Sequence, residues 1–284
     1  MQSVKELIQL LTLEQLEDNI FIGQNYQAPW GRVFGGQVLA QSLHAAYQTV
    51  PEERVAHSMH GYFILGGDLN VPITYEVDTI RNGGSFTTRR VVALQNGNAI
   101  FNMAASFQIK QKGVDHQINM PNLILPDSLT TSLEQIEKIK HTNPKAYHRL
   151  KLIIPNEFQF KPVERITSQL AKDGPPFNNV WIRTSDKVVT DLPMQQQLLA
   201  YVSDYNLLTT STLPHREELN KGNTFYASLD HALWFHRDFN LEDWLLYTMD
   251  SPSASNSRGF SRGSIFNKKG VLVASVAQEG LMRQ

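Results

Sequence analysis

Cysteine is missing from all 284 residues. That absence excludes disulfides, thiolate metal sites and a cysteine nucleophile. No apolar run reaches the roughly 18 residues a spanning helix needs, so nothing is expected to cross a bilayer as a helix. An excess of one charge is lacking too: 26 Lys+Arg meet 27 Asp+Glu, for a net charge of −1. Such a chain has no long-range field with which to hold nucleic acid or an anionic membrane surface. Glycine (17) and proline (13) are not abundant enough for a disordered chain. What is present suits a globular, cytoplasmic protein. Hydrophobic residues make up 41% of a length that builds one large domain or two ordinary ones. The opening MQSVKELIQLLTLEQLED scatters acids and glutamines through its apolar positions. It reads as an amphipathic surface helix rather than a signal peptide.

The chain reads as two similar halves around a less regular middle. In the first, Gly35-Gly36 ends a strand-like run, and from Gln37 apolar residues fall on a helical stripe through Leu39, Leu43 and Ala46. Strand-like runs follow from His57, Ile73 and Ser85, the last holding the hairpin signal Asn96-Gly97. The second half repeats the order. FQFKPVERI and VWIRTSDK are strand-like, LPMQQQLLAYVSDYNLL is helical with Pro193 in its first turn, and four β-rich runs begin at Ser228, Trp244, Phe260 and Val271. The halves superimpose piece by piece: QVLA from Gln37 on QLLA from Gln197, DLNV from Asp68 on DFNL from Asp238, and Ile100 to Gln108 on Leu272 to Gly280. Their common order points to a duplication. A helix apolar on nearly every side must be wrapped, and an antiparallel sheet curling round it is the simple solution. The expected fold is therefore α+β, with two curved antiparallel sheets, each around a long central helix. The units are residues 1–110 and 156–284. Residues 111–155, with four prolines and the polar stretch LEQIEKIK, form a surface connector.

Three residues stand out in the second half. Asp204 has Ala200, Tyr201, Leu207 and Leu208 at helical spacings of three and four, an apolar setting for a carboxylate. It is either a functional acid or a cap near a helix end. Gln278 closes a row with Leu272, Ala274 and Val276 on one strand face, and a buried amide needs partners. It is either functional or a structural glutamine bonded to a loop. Ser228 shares strand parity with Asp230, Ala232 and Trp234, and a strand-end serine commonly bonds its own backbone.

The strings GGQVLAQSL, HSMHGYF, RNGGSFTTRRVVALQNG, QQLLAYVSD, SLDHALWFHR, SASNSRGFSRG and VASVAQEGLMR resemble the type II acyl-CoA thioesterases, which are double hotdog proteins. The resemblance covers nearly the whole chain outside the connector. It implies hydrolysis of fatty acyl-CoA, no cofactor, no metal, and a homo-oligomer, with a tetramer favoured. It also implies that Asp204, Ser228 and Gln278 are the catalytic set. Ser228 departs from the more usual threonine, keeping the hydroxyl but losing the methyl that fixes its rotamer. Leu65-Gly66 stand where the family pattern has Arg-Pro before Gly-Asp. A thioester suits this set. Its leaving thiol has a pKa near roughly 8.5 and departs with little help. An ionised Asp204 can take a proton from water, while Ser228 and Gln278 hold that water or the oxyanion, with no covalent nucleophile.

Other patterns point elsewhere. Gly259-Phe260-Ser261-Arg262-Gly263 matches a nucleophile elbow, but a strand-like run follows and no histidine occurs after His236. His231 and His236, five apart on a strand, face opposite ways and make a poor metal pair. Asp230 beside His231 is a minor candidate base. Arg89, Arg90, Arg258 and Arg262 are candidates for the CoA phosphates, or else members of ion pairs on a solvated face. His44 and Ser106 occupy the first-half positions of Asp204 and Gln278, so that half is expected to lack the catalytic set. Two alternatives stay open: a hotdog hydratase or dehydratase acting on acyl-CoA, which would pair Asp with His, and a non-catalytic acyl-CoA binder.

Overall fold

The computed structural model describes residues 1–164, 173–221 and 223–284. The last two residues of the run FQFKPVERI, 165 and 166, lie outside the described residues. In chain order the first half holds α1 (Val4–Leu11), β1 (Glu14–Glu17), β2 (Ile20–Gly23), α2 (Gly35–Tyr47), β3 (Arg54–Phe63), β4 (Ile73–Asn82), β5 (Phe86–Gln95) and β6 (Asn98–Ile109). Two short helices, α3 (Ser132–Glu137) and α4 (Pro144–Ile153), follow. The second half holds β7 (Phe158–Pro162), β8 (Phe177–Thr184), α5 (Leu192–Ser203), α6 (Leu207–Thr212), α7 (Arg216–Leu219), β9 (Phe225–Ser228), β10 (Asp230–Phe235), β11 (Leu245–Ser255), β12 (Arg258–Asn267) and β13 (Leu272–Arg283).

The strands form one sheet in the order β1-β2-β4-β5-β6-β3-β10-β13-β12-β11-β8-β7, with β9 also on β13. Its seam is the antiparallel pair β3–β10, where Met59 lies opposite Leu233. The central helices α2 and α5 sit on the inner side. Every residue of α2 from Gly36 and every residue of α5 from Gln195 is buried, which is why both are apolar all round. Polar groups pair across the two helices: His44 Nδ1 with Gln197 Oε1 at 3.0 Å, and Tyr47 with Gln196. These contacts, with Gly36 beside Tyr201, set the helices antiparallel, so the end of α5 meets the start of α2.

Several sequence expectations change in detail. The first helix stops at Leu11, and β1 takes up the rest of the opening run. Val4, Leu7 and Leu11 are fully buried, so it clamps the core with one face. The long second-half helix ends at Ser203, where Asn206 in the left-handed region (φ 68°) separates it from α6. Asn96-Gly97 does turn the β5–β6 hairpin with positive φ at both residues. The ungapped match of Ser106 with Gln278 is off by one residue. In β6, Met103, Ala105 and Phe107 face the core, and Ser106 is turned to the other face, bonded to His57 at 2.8 Å. Ala105 therefore holds the inward position, and no amide stands there.

Candidate active site

Asp204 is the C-cap of α5, not a residue of its body. The antiparallel packing delivers its carboxylate to the start of α2, whose N-cap, Phe34, has no side-chain cap bond. The Gly36 N–H donates to Asp204 instead, so an acid from one half caps a helix of the other. Glycine is required here twice. A Cβ on Gly36 would lie 2.3 Å from the Tyr201 carbonyl oxygen, and one on Gly35 would lie 2.7 Å from Asp204 Oδ2. Gly36 lets the helices approach, and Gly35 keeps space open over the carboxylate.

Gln278 reaches Asp204 from β13. Its Nε2 donates to Asp204 Oδ1 at 3.0 Å and to Ser228 Oγ at 2.5 Å. The side chains of Asp204, Ser228 and Gln278 thus meet, drawn from a helix end and two strands. Strand parity alone misplaces Ser228. Asp230, Ala232 and Trp234 lie on the outer side, while His231, Leu233 and Phe235 are buried. Ser228 pairs with Gly280 and Ala232 with Ala277, so four steps on one strand oppose three on the other. The extra residue at Leu229 is a bulge, which reverses parity and turns Ser228 inward.

Asp204 and Ser228, with Gln278 bonded to both, stand in the wall of a cavity of about 740 Å³, a size typical of small-molecule sites. Val33, Phe63, Phe101 and Phe160 line it with Leu150 and Ile153 of α4, so both halves and the connector contribute apolar wall. Leu65 and Gly66, the departure from the family pattern, line it as well. Burial pushes the Asp204 carboxyl up to about 6, against the opposing pull of the Gln278 amide, the Gly36 N–H, the Arg32 charge and the Ser228 hydroxyl. A carboxyl so poised is ionised at neutral pH and still basic enough to accept a proton.

The arginines singled out from sequence lie elsewhere. Arg258 pairs with Glu279 and Arg262 with Asp250 on the sheet. Arg90 pairs with Asp78, and Arg89 is buried, donating to Thr49. None lines the cavity. Two other cations do: Arg32, which donates to the Tyr226 carbonyl at 2.5 Å and lies over the Phe225 ring, and Arg216. Neither has a carboxylate partner among the described residues. Arg32 lies three residues before Gly35, and only the contact of its loop with Phe225 and Tyr226 of β9 reveals it. Gly259 to Gly263 run through β12 as continuous strand, with no elbow. Asp230 accepts the Glu279 N–H at 2.6 Å outside the trio.

Residues 155–281 match the family described as acyl-CoA thioesterase, and residues 26–108 match its N-terminal domain. Acyl-CoA thioesterase 2 of Haemophilus influenzae is 38% identical, over 99% of this chain and 98% of its own. Acyl-coenzyme A thioesterase 8 of Homo sapiens is 36% identical, over 96% of this chain and 88% of its own. The crystal structure of an acyl-CoA thioesterase II from Mycobacterium marinum superimposes with a TM-score of 0.81 at 39% identity, covering 99% of this chain and 98% of that one. A hotdog-fold protein from Alicyclobacillus acidocaldarius shares the fold at a TM-score of 0.75 and 16% identity.

Proposed function

Because this chain belongs to the acyl-CoA thioesterase family and is a hydrolase of acyl-CoA thioesters, we propose that Asp204 activates a water that attacks the thioester directly, with no covalent intermediate. The observation that carries this reading is the meeting of Asp204, Ser228 and Gln278, two of which, Asp204 and Ser228, line the cavity. Asp204 takes a proton from water as its oxygen adds to the thioester carbonyl. Gln278 and Ser228 hold the water or the developing oxyanion, beside the N–H groups at the start of α2. The tetrahedral species then collapses, its C–S bond breaks, and the CoA sulfur leaves as thiolate, to which Asp204 can return the proton. The acyl chain lies along the apolar wall. Arg32 and Arg216 at the rim, rather than Arg258 and Arg262, suit the CoA phosphates. No histidine joins the trio, which favours hydrolysis over a hydratase or dehydratase. The two units, residues 1–110 and 156–284, then divide the work: the first supplies the helix start and half the wall, the second the reacting groups. The open sheet edges β1 and β7 ask for cover, which supports a homo-oligomer, a tetramer favoured. A one-chain mass in light scattering would remove that part of the reading.

Acyl-CoA hydrolysis with free-thiol detection tests the reading as follows. The pH profile of kcat/KM should show an acid limb near pH 6, falling about tenfold per unit below it, because only ionised Asp204 accepts the proton. Arg32→Gln removes a positive charge that favours the ionised form, so the limb should move to higher pH; a limb that stays in place would separate Arg32 from Asp204. Ser228→Thr should stay active, since the hydroxyl survives, whereas Ser228→Ala should lose roughly 10- to 100-fold. Equal rates for the two would remove the hydroxyl from the chemistry.

A further inference from the structure

Gln278 sits on β13 between two strands, and three buried polar atoms around it lack a partner. Ser261 of β12 lies directly opposite Gln278 on one side. On the other, the pairing of Ala232 with Ala277 puts His231 of β10 opposite it. His231 Nδ1, Ser261 Oγ and Gln278 Oε1 are all buried, and none has a hydrogen-bond partner among the described residues. An unpaired polar atom in a dry interior is costly, and three on neighbouring residues ask for one explanation.

The hydrogen-bond inventory supplies it. A carboxylate only accepts, so Asp204 requires the NH2 of Gln278 on its side. The amide oxygen must then face away from the trio. Burial pushes the His231 ring down to about 4, against the opposing effect of the Gln278 amide, so the ring is neutral and carries one N–H. His231 Nε2 lies 3.0 Å from Ser203 Oγ, at the end of α5. The Ser203 hydroxyl also lies 2.9 Å from the Ala200 carbonyl oxygen; its single proton, turned to Nε2 instead, leaves the ring proton on Nδ1. The opposite tautomer would set a bare Nδ1 lone pair against the Gln278 oxygen.

Resting on the role given to Gln278 above, we propose that His231, with Ser261 on the opposite flank, is a positioning residue that donates Nδ1–H to the Gln278 amide oxygen and so fixes the NH2 toward Asp204 and Ser228. The chain Ser203–His231–Gln278 ties the amide's orientation to the end of the same helix that carries Asp204. Ser261, the serine of the elbow-like string, serves here as a buried donor and not as a nucleophile.

The test is a double-mutant cycle on acyl-CoA hydrolysis. His231→Leu should lower kcat by roughly 10- to 100-fold, as loss of an orienting partner does, with KM little changed. His231→Asn carries an N–H near the Nδ1 position and should recover most of the rate. Ser261→Ala should show a smaller kcat loss. In a Gln278→Ala background all three substitutions should cost nothing further in kcat. Equal losses in both backgrounds, or an asparagine variant no better than leucine, would overturn the proposal. Should the leucine variant fail to fold, the asparagine and Ser261→Ala arms decide it in the same way. A Gln278→Ala enzyme with full activity would instead overturn the role of Gln278 itself.

Discussion

Asp204→Asn should lower the hydrolysis of acyl-CoA by roughly 10² to 10⁴-fold while leaving acyl-CoA binding in place. Asparagine preserves the shape of the cap. Its oxygen can still accept from Gln278 Nε2, so the contact of α5 with β13 survives. What disappears is the proton acceptor. The same variant should be no less stable than the parent at neutral pH. Burial raises the folded-state pKa of Asp204 from 3.8 to about 6. The folded chain therefore binds this proton more tightly than the unfolded chain, and stability falls as pH rises between those values. Above pH 6 the full cost of the buried charge is present, on the order of 3 kcal/mol. Asparagine removes that cost. Thermal melts at pH 7 should show an equal or higher Tm, so lost activity cannot be blamed on lost fold. Wild-type turnover by Asp204→Asn would move the base elsewhere, with Asp230 beside His231 the next candidate.

Gln278→Ala should cost about 10² or more in kcat, the loss seen when one oxyanion donor is removed. The amide nitrogen bonds both other members of the trio. Its removal leaves Asp204 with the Gly36 N–H and Ser228 as hydrogen-bond partners. Losing a group that favours the ionised form should also raise the Asp204 pKa, so the acid limb of the profile should move up with the fall in rate. A variant with unchanged kcat and an unmoved limb would show that Gln278 is a packing residue.

Much of this was legible in the residues. The all-round apolar helices announced themselves in QVLAQSLHAA and QQLLAYV because nothing but a wrapping sheet can bury such a surface. Asp204 was conspicuous because its neighbours at helical spacing are apolar. Gln278 was conspicuous because it ends an apolar row. Four things were not legible, and all come from geometry that spacing does not carry. The bulge at Leu229 turns Ser228 inward against its parity, and a one-residue insertion leaves no mark in composition. The shift of register between β6 and β13 puts Ala105, not Ser106, in the position of Gln278. The arginines that line the cavity, Arg32 and Arg216, reach it only because distant elements meet there, whereas Arg258 and Arg262 are neutralised by cross-strand acids. The left-handed Asn206, which ends α5 so that Asp204 becomes its cap, was hidden inside a run that reads as continuous helix.

Direct attack by water is the centre of the account, and single-turnover hydrolysis in ¹⁸O-labelled water tests it. With enzyme in excess over acyl-CoA, the released acid and the peptide bearing Asp204 are both weighed by mass spectrometry. The account predicts one ¹⁸O in the acid and none in the peptide, because Asp204 handles only a proton. Label in the Asp204 carboxylate, or an unlabelled acid, would mean that Asp204 had formed an anhydride with the acyl group, and would contradict it.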